Sequence, residues 1–189
     1  MIKTTFILFL LLPLFIFATQ VNHSDYERFI QEVKPNKQTT RIILNDGSAW
    51  DVKESNSRAI ARSWQGGDSI YLHPNTDYAP ILWLENTTIN DHAIVNFASL
   101  PHVPKYALSV KSYSGGIITL SDGSKWAVGG LKTMVWYLAG VDTNSFKGVI
   151  VSVYIYFSDL WREPSKNDYI IVFFYKNGWA NYVDVTPAQ

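Results

Sequence analysis

The sequence predicts an all-β chain with minor helix, built from two tandem copies of one small module. Two observations carry this. A D-G-S-x-W-x-V pattern occurs twice, at residues 46–52 and 122–128, and in both places apolar and polar residues alternate around it. The chain is also 47% hydrophobic and 15% aromatic, ample for a core, and it has no cysteine, so that core holds the fold without disulfides.

Asp46, Gly47, Ser48, Trp50 and Val52 match Asp122, Gly123, Ser124, Trp126 and Val128 without a gap. Upstream, residues 29–40 align with 106–116. Downstream, the run from Trp64 to Ile70 aligns with Trp161 to Ile170 if the second copy holds a longer insert. A rival alignment pairs Gly67-Asp68 with Val141-Asp142. Residues 82–95 align with 173–183, which sets Asn86 opposite Asn177.

The repeat decides the first element. Residues 24–33 carry a capping-box pattern, Ser24 with Glu27, and apolar residues at helical spacing. Their partner in the second copy, residues 106–111, reads as a strand. Two copies of one module use the same element, so a strand is expected over 29–34, with a helical turn allowed before it.

Asp-Gly between apolar alternations marks a hairpin, and the alternation selects its loop. A three-residue loop over residues 45–47 pairs Ile42 with Trp50 and gathers Ile42, Leu44, Trp50 and Val52 on one face. Ile118, Leu120, Trp126 and Val128 do the same in the second copy. Gly47 and Gly123 then need a positive φ, and Asp46 and Asp122 accept hydrogen bonds from turn amides. These four residues are read as turn chemistry rather than as an acidic or calcium site.

After the hairpin, residues 55–62 form a short helix capped by Ser55, and Gly66-Gly67 turn into a strand at Ile70. Pro80 opens the next strand, and Asn90-Asp91 turn into another at 93–97. Residues 148–157 and 169–175 are β-branched and aromatic runs. The expected organisation is a signal peptide over 1–18, a first module over 19–98, a linker over 99–105 and a second module with an insert over 106–189. Each module has the size of an SH3-like or OB-like barrel, or of a strongly bent sheet.

Lys3, the apolar run of residues 6–17 and a small-residue site ending at Ala18 fit an export signal, and the run is too short to span a bilayer. Location in the bacterial periplasm or cell envelope, or outside the cell, follows, with no membrane span after cleavage. Sixteen basic residues balance sixteen acidic ones, and no basic run exists to neutralise phosphates, so nucleic acid is not an expected partner.

No catalytic or metal-binding constellation stands out, and no cofactor is expected. The four histidines, His23, His73, His92 and His102, have no metal-ligand spacing and fall mostly in expected loops. Asp68 and Asp168 form a conceivable acid pair, yet their equivalence under the repeat argues for turn roles. The surplus is aromatic. Trp136, Tyr154, Tyr156 and Trp179 lie outside the repeated positions and are the candidate binding residues. In residues 149–157, Ile150, Ser152, Tyr154 and Tyr156 share one face; an open face binds a ligand, whereas a strand between the modules has both faces buried. The expected function is an exported, non-enzymatic binding protein, with a protein partner first and a glycan second. The alternative is an envelope polysaccharide or peptidoglycan hydrolase, or a carbohydrate-binding module, with its site between the modules.

Overall fold

The computed structural model describes residues 22–74, 82–129, 147–155, 169–174 and 180–188. A 3-10 turn, His23–Asp25, leads into β1 (Arg28–Pro35), β2 (Thr40–Leu44), β3 (Ala49–Val52), α1 (Ser55–Ala61), β4 (Ser69–Pro74), β5 (Leu82–Asn86) and β6 (Asp91–Ser99). The second half repeats the strands as β7 (Leu108–Ser114), β8 (Ile117–Leu120), β9 (Lys125–Val128), β10 (Ile150–Ile155), β11 (Tyr169–Phe174) and β12 (Ala180–Pro187). Each half closes into a six-stranded antiparallel barrel, ordered β1-β2-β3-β6-β5-β4 and β7-β8-β9-β12-β11-β10. The topology is the same in both. Residues 28–35 are a strand, although their apolar spacing alone favoured a helix.

The repeated hairpin is a self-contained folding device. Ile42 pairs with Trp50 and Ile118 with Trp126, the register that the alternation demands. Gly47 (φ 81°) and Gly123 (φ 90°) take the left-handed conformation. Their amides donate to the carbonyls of Leu44 (2.8 Å) and Leu120 (3.0 Å). Asp46 Oδ1 accepts the Ser48 amide at 2.8 Å, and Asp122 Oδ1 accepts that of Ser124 at 2.9 Å. The serine serves the tryptophan, because Ser48 Oγ and Ser124 Oγ each accept the indole N–H two residues on at 2.9 Å. A fully buried Trp therefore enters each core with its one polar group satisfied.

The backbone also corrects the downstream alignment. Gly67 donates to the Ile30 carbonyl at 2.8 Å, and Gly148 donates to that of Val110 at 2.9 Å. Ile30 and Val110 each stand just before the same bulge in their barrels, opposite Leu44 and Leu120. Gly67-Asp68 is thus equivalent to Gly148-Val149, not to residues 141–142 or 167–168. Following the ladders, Leu82 matches Tyr169, Asn86 matches Phe173 and Val95 matches Val185, so Asn86 has no counterpart at Asn177. The connections before β4 and β10 differ in length, so the similar letters within them do not mark equivalent positions. One further correction concerns α1. Its cap is Glu54, whose carboxylate accepts the amides of Asn56 (3.3 Å) and Ser57 (2.9 Å), and Ser55 is the first helical residue.

Two core clusters result. One fills the second barrel around Trp126, Val151, Ile171 and Val183. The other begins inside the first barrel with Ile42, Trp50, Leu72 and Leu84, and continues without a break into Tyr154, Ile170, Val172, Phe174 and Tyr182 of the second. Strands β10 and β11 are consequently buried on both faces, and one of the two core clusters spans both halves.

Gly47 and Gly123 adopt the same conformation in different surroundings. A Cβ on Gly47 would come within 2.4 Å of the His102 ring, whereas one on Gly123 meets nothing within 4 Å. Gly123→Ala is expected to cost about 1–2 kcal/mol for the left-handed backbone alone. Gly47→Ala adds a packing clash of ~1–3 kcal/mol to that cost. Urea unfolding of the two variants, compared with the wild type, measures the difference.

Candidate functional site

Two places concentrate polar chemistry. The first is the seam between the barrels. Arg28 and Asp46 are almost wholly buried there, with side-chain exposures of 2% and 0%, and Arg28 Nε lies 3.4 Å from Asp46 Oδ2. The guanidinium donates to the carbonyls of Glu27 (3.1 Å) and Val153 (2.5 Å) and to Ser152 Oγ (3.0 Å). It also lies over the rings of Tyr106 (4.3 Å) and Tyr154 (4.8 Å). Asp46 Oδ2 accepts the Tyr154 hydroxyl at 2.6 Å, while the Asp46 carbonyl accepts the amides of His102 and Val103. Burial, reinforced by the Asp46 charge, pushes the Tyr154 phenol well above its usual pKa, so it remains the donor in this bond.

This arrangement settles the place of Tyr154. It is 1% exposed, its ring meets Trp50 edge-on at 6.5 Å, and it cannot present an aromatic surface to a ligand. Its alternating neighbours Ile150 and Ser152 face the first barrel too, which is the arrangement of a strand lying between modules. Trp136, Tyr156 and Trp179 lie outside the described residues. The turn residues Asp46 and Gly47 are buried in the seam, whereas the equivalent Asp122 and Gly123 are exposed. One turn sequence serves two environments.

The contact between barrels is reciprocal. Phe174 packs on Trp50 and Phe97, at 6.3 and 4.8 Å between centroids. From the other side, Tyr26 meets Trp126 and Tyr169 edge-on at 5.4 and 5.5 Å, and Tyr71 of β4 packs against the second core. Strands β4 and β10, which are equivalent, lie against each other. Burial is the main cause, and the Asp122 charge a lesser one, that raises the Tyr26 phenol to about 12; burial and Asp184 do the same for Tyr182.

The second place is the outer face of β4, β5 and β6. His73, Glu85, Trp83 and His92 come together there from three neighbouring strands. His73 Nε2 and Glu85 Oε2 are 2.5 Å apart, with exposures of only 7% and 17%. His73 is therefore a buried strand residue, not a loop residue. Trp83 is half-buried and stacks on the exposed His92 ring at 4.8 Å and 17°. The Trp83 indole N–H is buried and meets no acceptor among the described residues. Trp83 and Glu85 alternate with the core residues Leu82, Leu84 and Asn86, and this alternation was readable in the sequence as an outward-facing pair.

The register makes a position-by-position comparison possible. Tyr71, His73, Trp83, Glu85, Thr87 and His92 stand where the second barrel has Ser152, Tyr154, Ile170, Val172, Phe174 and Tyr182. The second set is apolar in the main and is buried against the first barrel. In the first set the last four positions hold Trp, Glu, Thr and His and are left partly or fully exposed.

Several acidic side chains are engaged in turns and ion pairs. The Asp68 carboxylate accepts the Gln65 amide at 2.9 Å and the Asn86 side-chain amide at 2.6 Å, which is turn work, and Asp168 is outside the described residues. Asp51 is held by Arg41, Asp25 by Lys105 and Glu32 by Lys34. Among the described residues no three His, Asp or Glu side chains are grouped to hold a metal ion, and no helix is long and apolar enough to cross a membrane. Comparison with known proteins adds no identity: no protein-family model, no curated protein and no solved structure matches the chain.

Removing the acid from the seam leaves a buried guanidinium unpaired. Asp46→Asn is expected to destabilise the chain by about 3–5 kcal/mol. Asp122→Asn, at an exposed turn, should cost at most ~1 kcal/mol. Chemical denaturation of both variants checks the ratio. The raised tyrosines set an alkaline limit. The folded chain keeps protons that the unfolded chain releases above the ordinary value of 10.0, so the stability they contribute is complete below that pH and is lost as the pH climbs toward about 12. The urea midpoint should fall across this window, and less steeply in a Tyr26→Phe, Tyr182→Phe double variant.

Proposed function

We propose that the chain is an exported, non-enzymatic binding protein of the cell envelope or extracellular space, and that a protein partner docks on the outer face of β4–β6 around Trp83, Glu85 and His92. The observation that carries this reading is the comparison of equivalent faces. In the second barrel this face is a docking surface, buried against another barrel through its apolar side chains. In the first barrel the same face places Trp83 where the second has Ile170, and exchanges Val172, Phe174 and Tyr182 for Glu85, Thr87 and His92. A surface of that kind tolerates water when free and still offers a Trp anchor when bound. The expected signal peptide supports the location, and the balanced charge supports a protein rather than a nucleic acid.

Two rival roles receive less support. A strand-addition partner needs an unpaired sheet edge, and both sheets close on themselves. A glycan is favoured by one feature, the indole of Trp83 beside the hydrogen-bonding pair His73 and Glu85, which is a combination that takes a sugar ring.

The test is retention on the immobilised chain beginning at Thr19, with an envelope extract and a glycan array as parallel arms. Trp83→Ala should weaken retention about 30-fold, the ~2 kcal/mol of an aromatic anchor. Lys37→Ala, on the β1–β2 turn, should leave it unchanged. Retention indifferent to Trp83→Ala would sink the assignment to this face, and retention of glycans alone would replace the protein partner by a polysaccharide.

A further inference from the structure

We infer that the partner accommodated by the β4–β6 face is a second copy of this chain, an inference that rests on the reading of that face as a contact surface. Three observations converge on this occupant.

The first is the equivalence of faces. The corresponding surface of the second barrel, β10–β12, is seated on a barrel of the same topology. This side of the module is therefore seen to pack on another module, which there offers its Trp50 and Phe97 side. A second copy is the nearest source of one.

The second is continuity with the existing seam. Tyr71 lies on the same face as Glu85, to which it is directly opposed across the β4–β5 ladder. Its ring already packs into the core of the second barrel. The face thus starts inside an established interface and runs outward through Trp83 to His92, so a copy docking on it extends a contact that the fold has begun.

The third is self-complementarity. Glu85 and His92 are direct cross-strand partners. A two-fold axis lying in the interface, along the boundary between β5 and β6, sets each Glu85 against His92 of the partner subunit. The same axis brings the two Trp83 side chains toward the centre of the contact. Aliphatic and aromatic residues at these positions, as with Ile170, Val172, Phe174 and Tyr182 in β11 and β12, would make a permanent seam. Glu, Thr and His make a reversible one.

The absence of native cysteine permits a clean test. Sedimentation velocity of the chain from Thr19 onward should show a monomer–dimer equilibrium that shifts with concentration, and Trp83→Ala should move it at least ~10-fold toward monomer. Circular dichroism shows whether that variant remains folded. Independently, a mixture of Glu85→Cys chains with His92→Cys chains, each carrying a sole cysteine, should form a disulfide-linked mixed dimer under mild oxidation much faster than His92→Cys chains mixed with Lys37→Cys chains. A monomer at all concentrations up to about 1 mM would overturn the inference. So would a dimer that the Glu85→Cys and His92→Cys mixture fails to trap. If the chain stays monomeric while Trp83→Ala still abolishes retention of another protein, the contact surface stands and the second copy is excluded as its occupant.

Discussion

The structure depends on one buried ion pair. Arg28, at the start of the first barrel, and Asp46, in that barrel's β2–β3 turn, meet where the second barrel presses on the first. A buried pair of this kind stabilises little unless hydrogen bonds fill its remaining valences. Here Ser152 and Val153 of β10 accept from the guanidinium and Tyr154 donates to the carboxylate, while Arg28 Nε faces Asp46 Oδ2 at 3.4 Å without a hydrogen bond. The cost of burying the charges is therefore offset by groups from the other barrel. This makes the seam specific in a way that apolar packing alone would not: another register of β10 would strand the guanidinium.

The same constraint explains how a repeated motif comes to do two things. In D-G-S-x-W, one carboxylate oxygen holds the turn amide, glycine supplies the left-handed corner, and serine receives the indole N–H. All of this lies within five consecutive residues. The second carboxylate oxygen has no part in the hairpin. In the second copy Asp122 is exposed; in the first, Asp46 Oδ2 became the acceptor on which the seam is built. Divergence between the copies thus acted on an atom that the local fold did not need.

That division also separates what could be read from the chain from what could not. The hairpin register and the positive φ of Gly47 and Gly123 follow from neighbours in sequence, and both were legible. The strand over 28–35 was legible only through the repeat, because its own spacing suits a helix. The fate of Tyr154 was not. Alternation places it on a face, but whether that face meets water is decided by Trp50 and Asp46, more than a hundred residues earlier. Nor was the pairing of His73 with Glu85, which depends on a register set by Gly67 returning to β1. The outward direction of Trp83 was legible from its alternation with Leu82 and Leu84. Its company of Glu85 and His92 emerged only when three strands were laid side by side.

The shared interior has a consequence in time. Arg28 finds its acceptors 124 and 125 residues later in the chain, and the core around Trp50 is completed by Ile170, Val172 and Phe174. Contacts so distant are slow to form, because the intervening chain must first be gathered. A ribosome delivers the first barrel's strands well before the residues that cover them. During that interval its cationic Arg28 and its tryptophan end stand open, and the half that is made first is the half that must wait.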